Sequence, residues 1–182
     1  MPFRFTQMEI SGVVLVEPVL HGDGRGFFME MFKASDFTQG GITGPFVQDN
    51  YARSTQGVLR GLHYQKQAKA QGKLVHVVTG EIFDVAVDVR RSSTTYGRWV
   101  GVRLSAANHL MLYLPPGFAH GYCVLSSVAD VIYKTTAEYD SSLERGVNWS
   151  DPDLAIAWPV AQPQLSARDA GLPRLRDADN DF

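Results

Sequence analysis

Short runs of Val, Ile, Phe and Tyr, each closed by a cluster of turn-forming residues, follow one another along almost the whole chain. Regular spacing of this kind is typical of antiparallel sandwiches and barrels. Such a chain has to close its sheet or pair two sheets, because exposed strand edges promote aggregation. The runs predict ten strands, at residues 12–19, 26–32, 45–51, 57–65, 73–79, 81–90, 98–104, 110–114, 119–125 and 129–139.

The clearest of these runs form a hairpin. Apolar residues alternate through residues 74–79, a turn follows at Gly80, and alternation resumes through residues 81–90. A glycine at the turn supplies the positive φ that tight hairpins require. The second strand carries Asp84 and Asp88 on one face, so this face is predicted either to meet water or to line a polar cavity.

Helical signals are few and short. Ser35 is a candidate cap for one or two turns ending at Gln39, and a further turn is predicted at residues 151–154. The length of 182 residues fits one domain, residues 1–182. Residues 161–182 are rich in Pro, Gly and charge, so we expect them to wrap the surface and to fray after about Arg176.

Charge and cysteine content limit the partners. Seventeen basic against nineteen acidic residues give a formal charge of −2, which disfavours binding to nucleic acid or to an anionic membrane. The longest apolar stretches, such as residues 13–20, fall far short of the ~20 residues that span a bilayer. With no visible secretory signal and with Cys123 as the single cysteine, we expect a cytoplasmic protein without disulfides.

Two segments place a histidine beside glycines, residues 57–65 with His63 and residues 114–121 with His120. Their order and the Pro-x-Gly-x-x-His pattern resemble the two motifs of the cupin superfamily. The resemblance implies a cupin-type jelly-roll β-barrel, a double-sheet sandwich with a few short helical turns. This chain departs from the pattern of metal-binding cupins. Gln65 and Lys73 stand here where that pattern has a histidine and a glutamate. A cation repels a divalent metal, so no metal site is expected.

His63 and Lys73 together suggest a chemistry. A neutral imidazole accepts a proton near neutral pH, and an ammonium group stabilises the oxyanion that forms as the proton leaves. This pairing suits proton abstraction beside a carbonyl. The alternative is that Lys73 is a solvated lysine at the end of a strand.

The chain also resembles the dTDP-4-dehydrorhamnose 3,5-epimerase family, from about residue 10 to residue 175. The motifs that carry the resemblance are DGRGFFME (23–30), VQDN (47–50), LRGLHYQ (59–65), QGKLV (71–75), GEIFDVAVDVR (80–90), PPGFAHGY (115–122) and YK (133–134). The family inverts two carbons of a nucleotide-linked 4-keto-6-deoxy sugar. Both protons lie next to one ketone, so neither nicotinamide nor metal is needed, and no dinucleotide or phosphate-loop motif is seen.

The resemblance also implies roles for individual residues. His63 would be the base, oriented by Asp169, Tyr133 the acid on the opposite face, and Lys73 the partner of the enolate oxygen. Tyr139 would stack on the thymine. The other positions that match substrate-binding residues are Arg25, Glu30, Gln48, Asp49, Asn50, Arg60, His120, Glu144 and Arg168. The family is a homodimer in which residues 25–30 reach into the neighbour's site.

Several points stay open in the sequence. On an ideal strand Arg60 and His63 point to opposite faces, and a bulge at Gly61 would reconcile them. Asp84 is expected either to pair with Lys73 or to face solvent. Without the resemblance, Tyr133 would be a core tyrosine.

The resemblance therefore implies a cofactor-free epimerase acting on dTDP-4-dehydro-6-deoxy-D-glucose. The alternatives are an epimerase that inverts C3 or C5 alone, a non-catalytic sugar-binding cupin module and a metal cupin. A binding module would more readily tolerate loss of His63 or Tyr133, and both residues are present.

Overall fold

The computed structural model describes residues 2–182, and its regular structure is mostly strand. The strands are β1 (Phe3–Gln7), β2 (Val14–Pro18), β3 (His21–Asp23), β4 (Gly26–Phe28), β5 (Gln48–Thr55), β6 (Leu59–Gln65), β7 (Lys73–Thr79), β8 (Glu81–Asp88), β9 (Trp99–Ser105), β10 (Met111–Leu114), β11 (Phe118–Val124), β12 (Val128–Thr135) and β13 (Glu144–Gly146). The α-helices are α1 (Ala34–Gln39) and α2 (Ala167–Ala170), with 3₁₀ turns at Gln67–Lys69 and Leu175–Asp177.

Two antiparallel sheets form the body of the protein. The larger has the order β1-β2-β10-β7-β12-β5, and the smaller has the order β13-β6-β11-β8-β9. Strands β3 and β4 form a separate hairpin. The prediction of an all-β, double-sheet fold is confirmed.

The two sheets enclose the main apolar core, and each sheet is also covered on its outer face. The core between the sheets includes Val75, Leu112 and Phe118. Helix α1 brings Phe37 onto the outer face of the six-stranded sheet, and the C-terminal segment brings Leu175 onto the outer face of the other. Burial of apolar side chains in these three clusters is the main contribution to the stability of such a fold.

The predicted hairpin of β7 and β8 is present. Gly80 has a φ of +77°, and a Cβ at this position would lie 2.1 Å from the carbonyl oxygen of Val128, so a side chain cannot be accommodated. Asp84 and Asp88 lie on buried parts of β8. Because the strand is covered on both faces, its carboxylates must find partners inside the protein.

Three strands and one helix were not predicted from the sequence. Strands β1, β3 and β13 are short or edge elements, and α2 has four residues. Helix α1 begins at Ala34, so the prediction that Ser35 caps it is wrong, and Lys33 at the N-cap makes no side-chain cap. The turn at residues 151–154 is confirmed. No helix within residues 2–182 is long and apolar enough to span a bilayer.

The C-terminal segment wraps the surface as expected, and its last residues make specific contacts, while the expected fraying after about Arg176 stays a prediction. Asp179 accepts hydrogen bonds from Lys66 and Arg145, each at 2.7 Å. Phe182 packs with the apolar cluster on the outer face of the five-stranded sheet. These contacts join residues far apart in sequence, which is why local composition did not reveal them.

Candidate active site

A cavity of about 510 Å³ is lined by residues from both sheets and by the segment around α2, and we call it the inter-sheet cavity. A volume of this size is typical of small-molecule sites. Its lining residues are Ala52, Val58, Leu59, Arg60, His63, Lys73, His120, Tyr122, Tyr133, Gln164, Leu165, Ser166, Arg168 and Asp169. Seven of the predicted site residues are therefore brought together here.

His63 and Asp169 form a hydrogen-bonded pair. The His63 Nε2 atom lies 2.7 Å from Asp169 Oδ1, although the two residues are 106 positions apart in sequence. Ser166 at the N-cap of α2 accepts a hydrogen bond from the Asp169 backbone, which holds the carboxylate in place. Burial alone would raise the pKa of Asp169, but the hydrogen bond and charge of His63, together with hydrogen bonds from Gly61 and Ser166, outweigh burial and lower this pKa. The carboxylate is thus kept ionised beside the imidazole.

The irregular course of β6 lets Arg60 and His63 reach the same cavity. Gly61 has a φ of +121°, and the pairing of β6 with β11 changes register between His120 and Tyr122. The predicted bulge at Gly61 is confirmed. A Cβ at Gly61 would lie 2.6 Å from a backbone atom of the facing strand, so glycine is required here.

Lys73 is buried within the site, so the alternative of a solvated lysine is wrong. Its Nζ atom lies 3.5 Å from the backbone oxygen of His63, a distance too long for a strong hydrogen bond. Burial lowers the pKa of Lys73 to about 8, and the charges of Glu144 and Asp84 partly offset this effect. The ammonium group of Lys73 therefore makes no strong hydrogen bond within the protein and is available as a charged donor to a ligand.

His120 and Asp84 form a second pair, deeper in the protein. Their Nε2 and Oδ1 atoms are 2.8 Å apart, and Asp84 has no exposed surface. The expectations that Asp84 faces solvent or pairs directly with Lys73 are both wrong. Asp84 instead orients His120 through a hydrogen bond and acts on Lys73 through its charge.

Tyr133 reaches the inter-sheet cavity from β12, in the sheet opposite to the one that carries His63. Its ring centroid lies 6.5 Å from that of His120. Burial raises the pKa of Tyr133, so its hydroxyl stays protonated at neutral pH. A proton donor and a proton acceptor therefore line the cavity from two different sheets.

Three predicted residues form a network near the cavity mouth. Arg168 Nη1 and the Tyr139 hydroxyl contact the same oxygen of Glu144, at 2.7 Å and 2.6 Å. Burial would raise the pKa of Glu144, but these hydrogen bonds lower it. Strand β12 ends at Thr135, so Tyr139 does not share a strand face with Tyr133 as predicted. Tyr139 is half exposed, which leaves its ring accessible.

The remaining predicted residues lie outside the cavity lining. On β5, Gln48 donates a hydrogen bond to Asn50 on one face, whereas Asp49 faces the other way and pairs with Lys134 at 2.9 Å. Strand alternation turns Asp49 outward on β5, and its expected role in substrate binding stays a prediction. The other two residues, Arg25 and Glu30, lie in and after the β3–β4 hairpin, away from the cavity.

The sequence reasoning missed Tyr122 in the cavity lining and Ser54, which contacts Arg60 of the lining. Ser54 accepts a hydrogen bond from Arg60 Nε at 3.0 Å, and Tyr122 lines the cavity beside His120. Both follow from strand alternation, since Ser54 shares a face with Asn50 and Tyr122 is two residues after His120. The same counting could have identified Tyr122, whereas Ser54 lies beyond the strand predicted at residues 45–51.

The cavity residues also bear on the metal-cupin alternative. Gln65 donates its side-chain amide hydrogens to the backbone oxygens of Lys69 and Glu138 and is buried. Within residues 2–182, His, Cys, Asp and Glu form no group of three that could hold a metal ion. The donor set therefore does not fit the metal site of that alternative.

Comparisons with known proteins agree with this geometry. A family model described as dTDP-4-dehydrorhamnose 3,5-epimerase matches residues 7–177. A dTDP-4-dehydrorhamnose 3,5-epimerase of Shigella flexneri is 54% identical over 172 residues, which cover 94% of this chain and 95% of the relative. A dTDP-4-dehydrorhamnose 3-epimerase of Streptomyces niveus is 38% identical over 176 residues, 96% of this chain and 85% of that protein.

A similar structure is also known. A dTDP-6-deoxy-D-glucose-3,5-epimerase from Legionella pneumophila, crystallised in complex with dTDP-4-keto-L-rhamnose, superposes with a TM-score of 0.92. It is 49% identical, and the match covers 96% of this chain and 93% of that chain. The cupin-type architecture expected from the sequence is confirmed by this match.

Proposed function

This chain belongs to the dTDP-4-dehydrorhamnose 3,5-epimerase family and is an isomerase, and from this premise we propose how its cavity residues carry out the reaction. The substrate is a dTDP-linked 4-keto sugar, dTDP-4-dehydro-6-deoxy-D-glucose, and the product is dTDP-4-dehydro-L-rhamnose. We infer that His63 removes the protons, Lys73 binds the ketone oxygen and Tyr133 returns a proton to the opposite face. The expected cytoplasmic location stays a prediction.

The observation that carries this proposal is the shared position of His63 and Lys73 in one buried cavity. With Nε2 donating to Asp169, the lone pair of neutral His63 is on Nδ1, which is the atom free to accept a proton. As the C–H bond breaks, negative charge moves onto the C4 oxygen. A buried ammonium group stabilises such an oxyanion by a factor of about 10²–10³ in rate.

Inversion requires that the proton returns to the face opposite to the one it left. Tyr133 supports this step because it lies on the sheet opposite to His63 and its hydroxyl is protonated. C3 and C5 both flank the C4 ketone, so one oxyanion partner can serve both carbons. The reaction transfers protons without net oxidation, and we propose that it needs no cofactor.

Solvent isotope exchange tests this mechanism. In deuterated water we expect deuterium at both C3 and C5 of the product, measured by NMR or mass spectrometry. Label at one carbon would instead support an epimerase that inverts C3 or C5 alone. The Tyr133→Phe variant should still exchange protons while inversion is impaired, and an equal loss of both would contradict the role of Tyr133.

We further propose that the network at the mouth holds the nucleotide. Arg168 and Arg60 offer cationic groups to the diphosphate, and a guanidinium suits bidentate contact with phosphate oxygens. The exposed ring of Tyr139 is available to stack on the thymine. His120, Glu144, Gln48 and Asn50 complete the proposed substrate contacts.

We also propose a homodimer in which the β3–β4 hairpin enters the neighbouring subunit's site. Phe27 and Phe28 on this hairpin are 58% and 67% exposed, which is unusual for large apolar side chains. Tyr51 on the outer face of β5 is also exposed. Arg25 and Glu30 match substrate-binding positions and yet lie away from the cavity of their own chain. A second copy would bury the apolar rings and bring both charges to a site.

Mixing two inactive variants tests this arrangement. One chain carries His63→Asn, and the other carries Arg25→Ala with Glu30→Ala. If the hairpin serves the neighbour, a mixed dimer has one intact site, so random mixing restores about a quarter of the wild-type activity. If the hairpin serves its own chain, mixing restores nothing. Light scattering of the wild type measures the dimer independently.

A further inference from the structure

A buried hydroxyl in the inter-sheet cavity has no partner. Within residues 2–182, four buried side-chain polar atoms lack a hydrogen bond, and they belong to Asp36, His76, Asp84 and Tyr122. Of these four residues, Tyr122 alone lines the inter-sheet cavity. A buried hydroxyl without a hydrogen bond is unfavourable, so such a group in a binding site marks a place for a ligand atom.

We propose that the Tyr122 hydroxyl donates a hydrogen bond to an oxygen of the sugar ring and so positions the keto sugar between the two sheets. This inference rests on the proposed function of the same cavity. It adds a second tyrosine that contacts the sugar, on the sheet opposite to that of Tyr133.

The depth of Tyr122 indicates that its partner is the sugar and not the nucleotide. Tyr122 is 3% exposed, whereas Tyr139 and Arg168 at the mouth are about half exposed. The reacting sugar has to lie beside Lys73, which is also buried. The nucleotide therefore extends toward the mouth, and the inner hydroxyl meets the sugar.

The surroundings of Tyr122 keep its hydroxyl available as a donor. Burial raises the pKa of Tyr122 to about 12, so its hydroxyl is protonated at neutral pH. Ser54 interacts with the Tyr122 hydroxyl and slightly lowers this pKa, but no hydrogen bond of good geometry joins the two side chains, and the Ser54 oxygen accepts one from Arg60. On β11, His120 is engaged with Asp84 and is not free to serve as an acceptor through Nε2.

The alternative is that Tyr122 is a core residue whose hydroxyl is irrelevant to the ligand. Its ring does pack in the main core with Phe118 and Val124. The Tyr122→Phe substitution separates the two possibilities, because it keeps the ring and removes the hydroxyl. The protein should fold normally, with a melting temperature equal to or above that of the wild type, since no hydrogen bond of the free protein is lost.

The test compares binding of dTDP with binding of dTDP-L-rhamnose by calorimetry. In Tyr122→Phe we expect an unchanged Kd for dTDP and an increase of about five- to tenfold in the Kd for dTDP-L-rhamnose, the effect of one neutral hydrogen bond. The value of kcat/KM for the keto sugar should fall at least as much. Equal changes for the two ligands, or wild-type values for both, would overturn the proposal.

Tyr64→Phe is the matched control. Tyr64 is also buried, but it lies outside the cavity lining. Its hydroxyl donates a hydrogen bond to the Asp179 backbone oxygen at 3.1 Å. This variant should lose stability and keep the wild-type ratio of the two Kd values. If wild-type protein fails to epimerise the keto sugar, the proposed function fails, and the binding ratio still reports separately on Tyr122.

Discussion

Two histidine–aspartate pairs of nearly equal length occupy different environments in this protein. His63 and Asp169 are 2.7 Å apart near the cavity mouth, and His120 and Asp84 are 2.8 Å apart in the interior. The His63 side chain is 24% exposed, whereas that of His120 is 6% exposed. The hydrogen bond is the same, but access to ligand and solvent is not.

This difference explains why one pair is suited to proton transfer and the other to positioning. A base has to approach the substrate and to exchange its proton with solvent between turnovers, and the exposure of His63 permits both. His120 lies on β11, which pairs with β6 and β8 in one sheet, and Asp84 on β8 holds its ring through a hydrogen bond. A ring held in this way is suited to the fixed substrate contact that we propose for His120.

The largest expected difference is in the rates of the two histidine variants. His63→Asn should lower kcat by about 10²–10⁴, because general base catalysis is lost. His120→Asn should lower it less, since a contact is weakened and the base remains. Steady-state kinetics with the keto sugar measure both variants, and equal losses would mean that the two pairs share one role.

A smaller difference is expected between the two aspartate variants. Asp169→Asn should reduce kcat by about tenfold to a hundredfold, because His63 loses the carboxylate that orients it. Asp84→Asn places an amide group at a buried position with no second partner, so it should lower the free energy of unfolding by about 1–3 kcal/mol. Urea unfolding measures the stability of both variants, and steady-state kinetics measure their kcat. An equal loss of stability in the two variants would contradict this prediction.

The smallest effect is a displacement of the pH profile. Lys73 has to be protonated to bind the enolate oxygen, so kcat/KM should fall as pH rises through about 8. Asp84→Asn removes a negative charge that favours the ammonium form, which moves this fall to lower pH. Asp169→Asn should leave it in place, because Asp169 is not among the charges acting on Lys73. If the decrease of kcat/KM shifts equally in both variants, a group other than Lys73 causes it.

The sequence was a good guide where a property is local. The turn at Gly80 and the bulge at Gly61 were both predicted, since each follows from the steric freedom of one glycine. Strand alternation would also have indicated Tyr122. It failed for Tyr139, because the strand ends at Thr135 and alternation has no meaning beyond its end.

Long-range contacts were outside the reach of local patterns. Local composition did not indicate that Lys66 and Arg145 contact Asp179 in the C-terminal segment. Asp84 was expected to meet Lys73 or solvent, yet it pairs with His120. In each case the partner is decided by how the sheets and the last segment pack.

The sequence by itself determined an all-β chain and, through its motifs, the chemical groups of the site. The tertiary structure decided which groups face one another, how deeply each is buried and which hydroxyl lacks a partner. The physical reason is that strand pattern and turn geometry depend on neighbouring residues. The pKa of Lys73 and the pairing of His63 with Asp169 depend instead on desolvation and on contacts between distant segments.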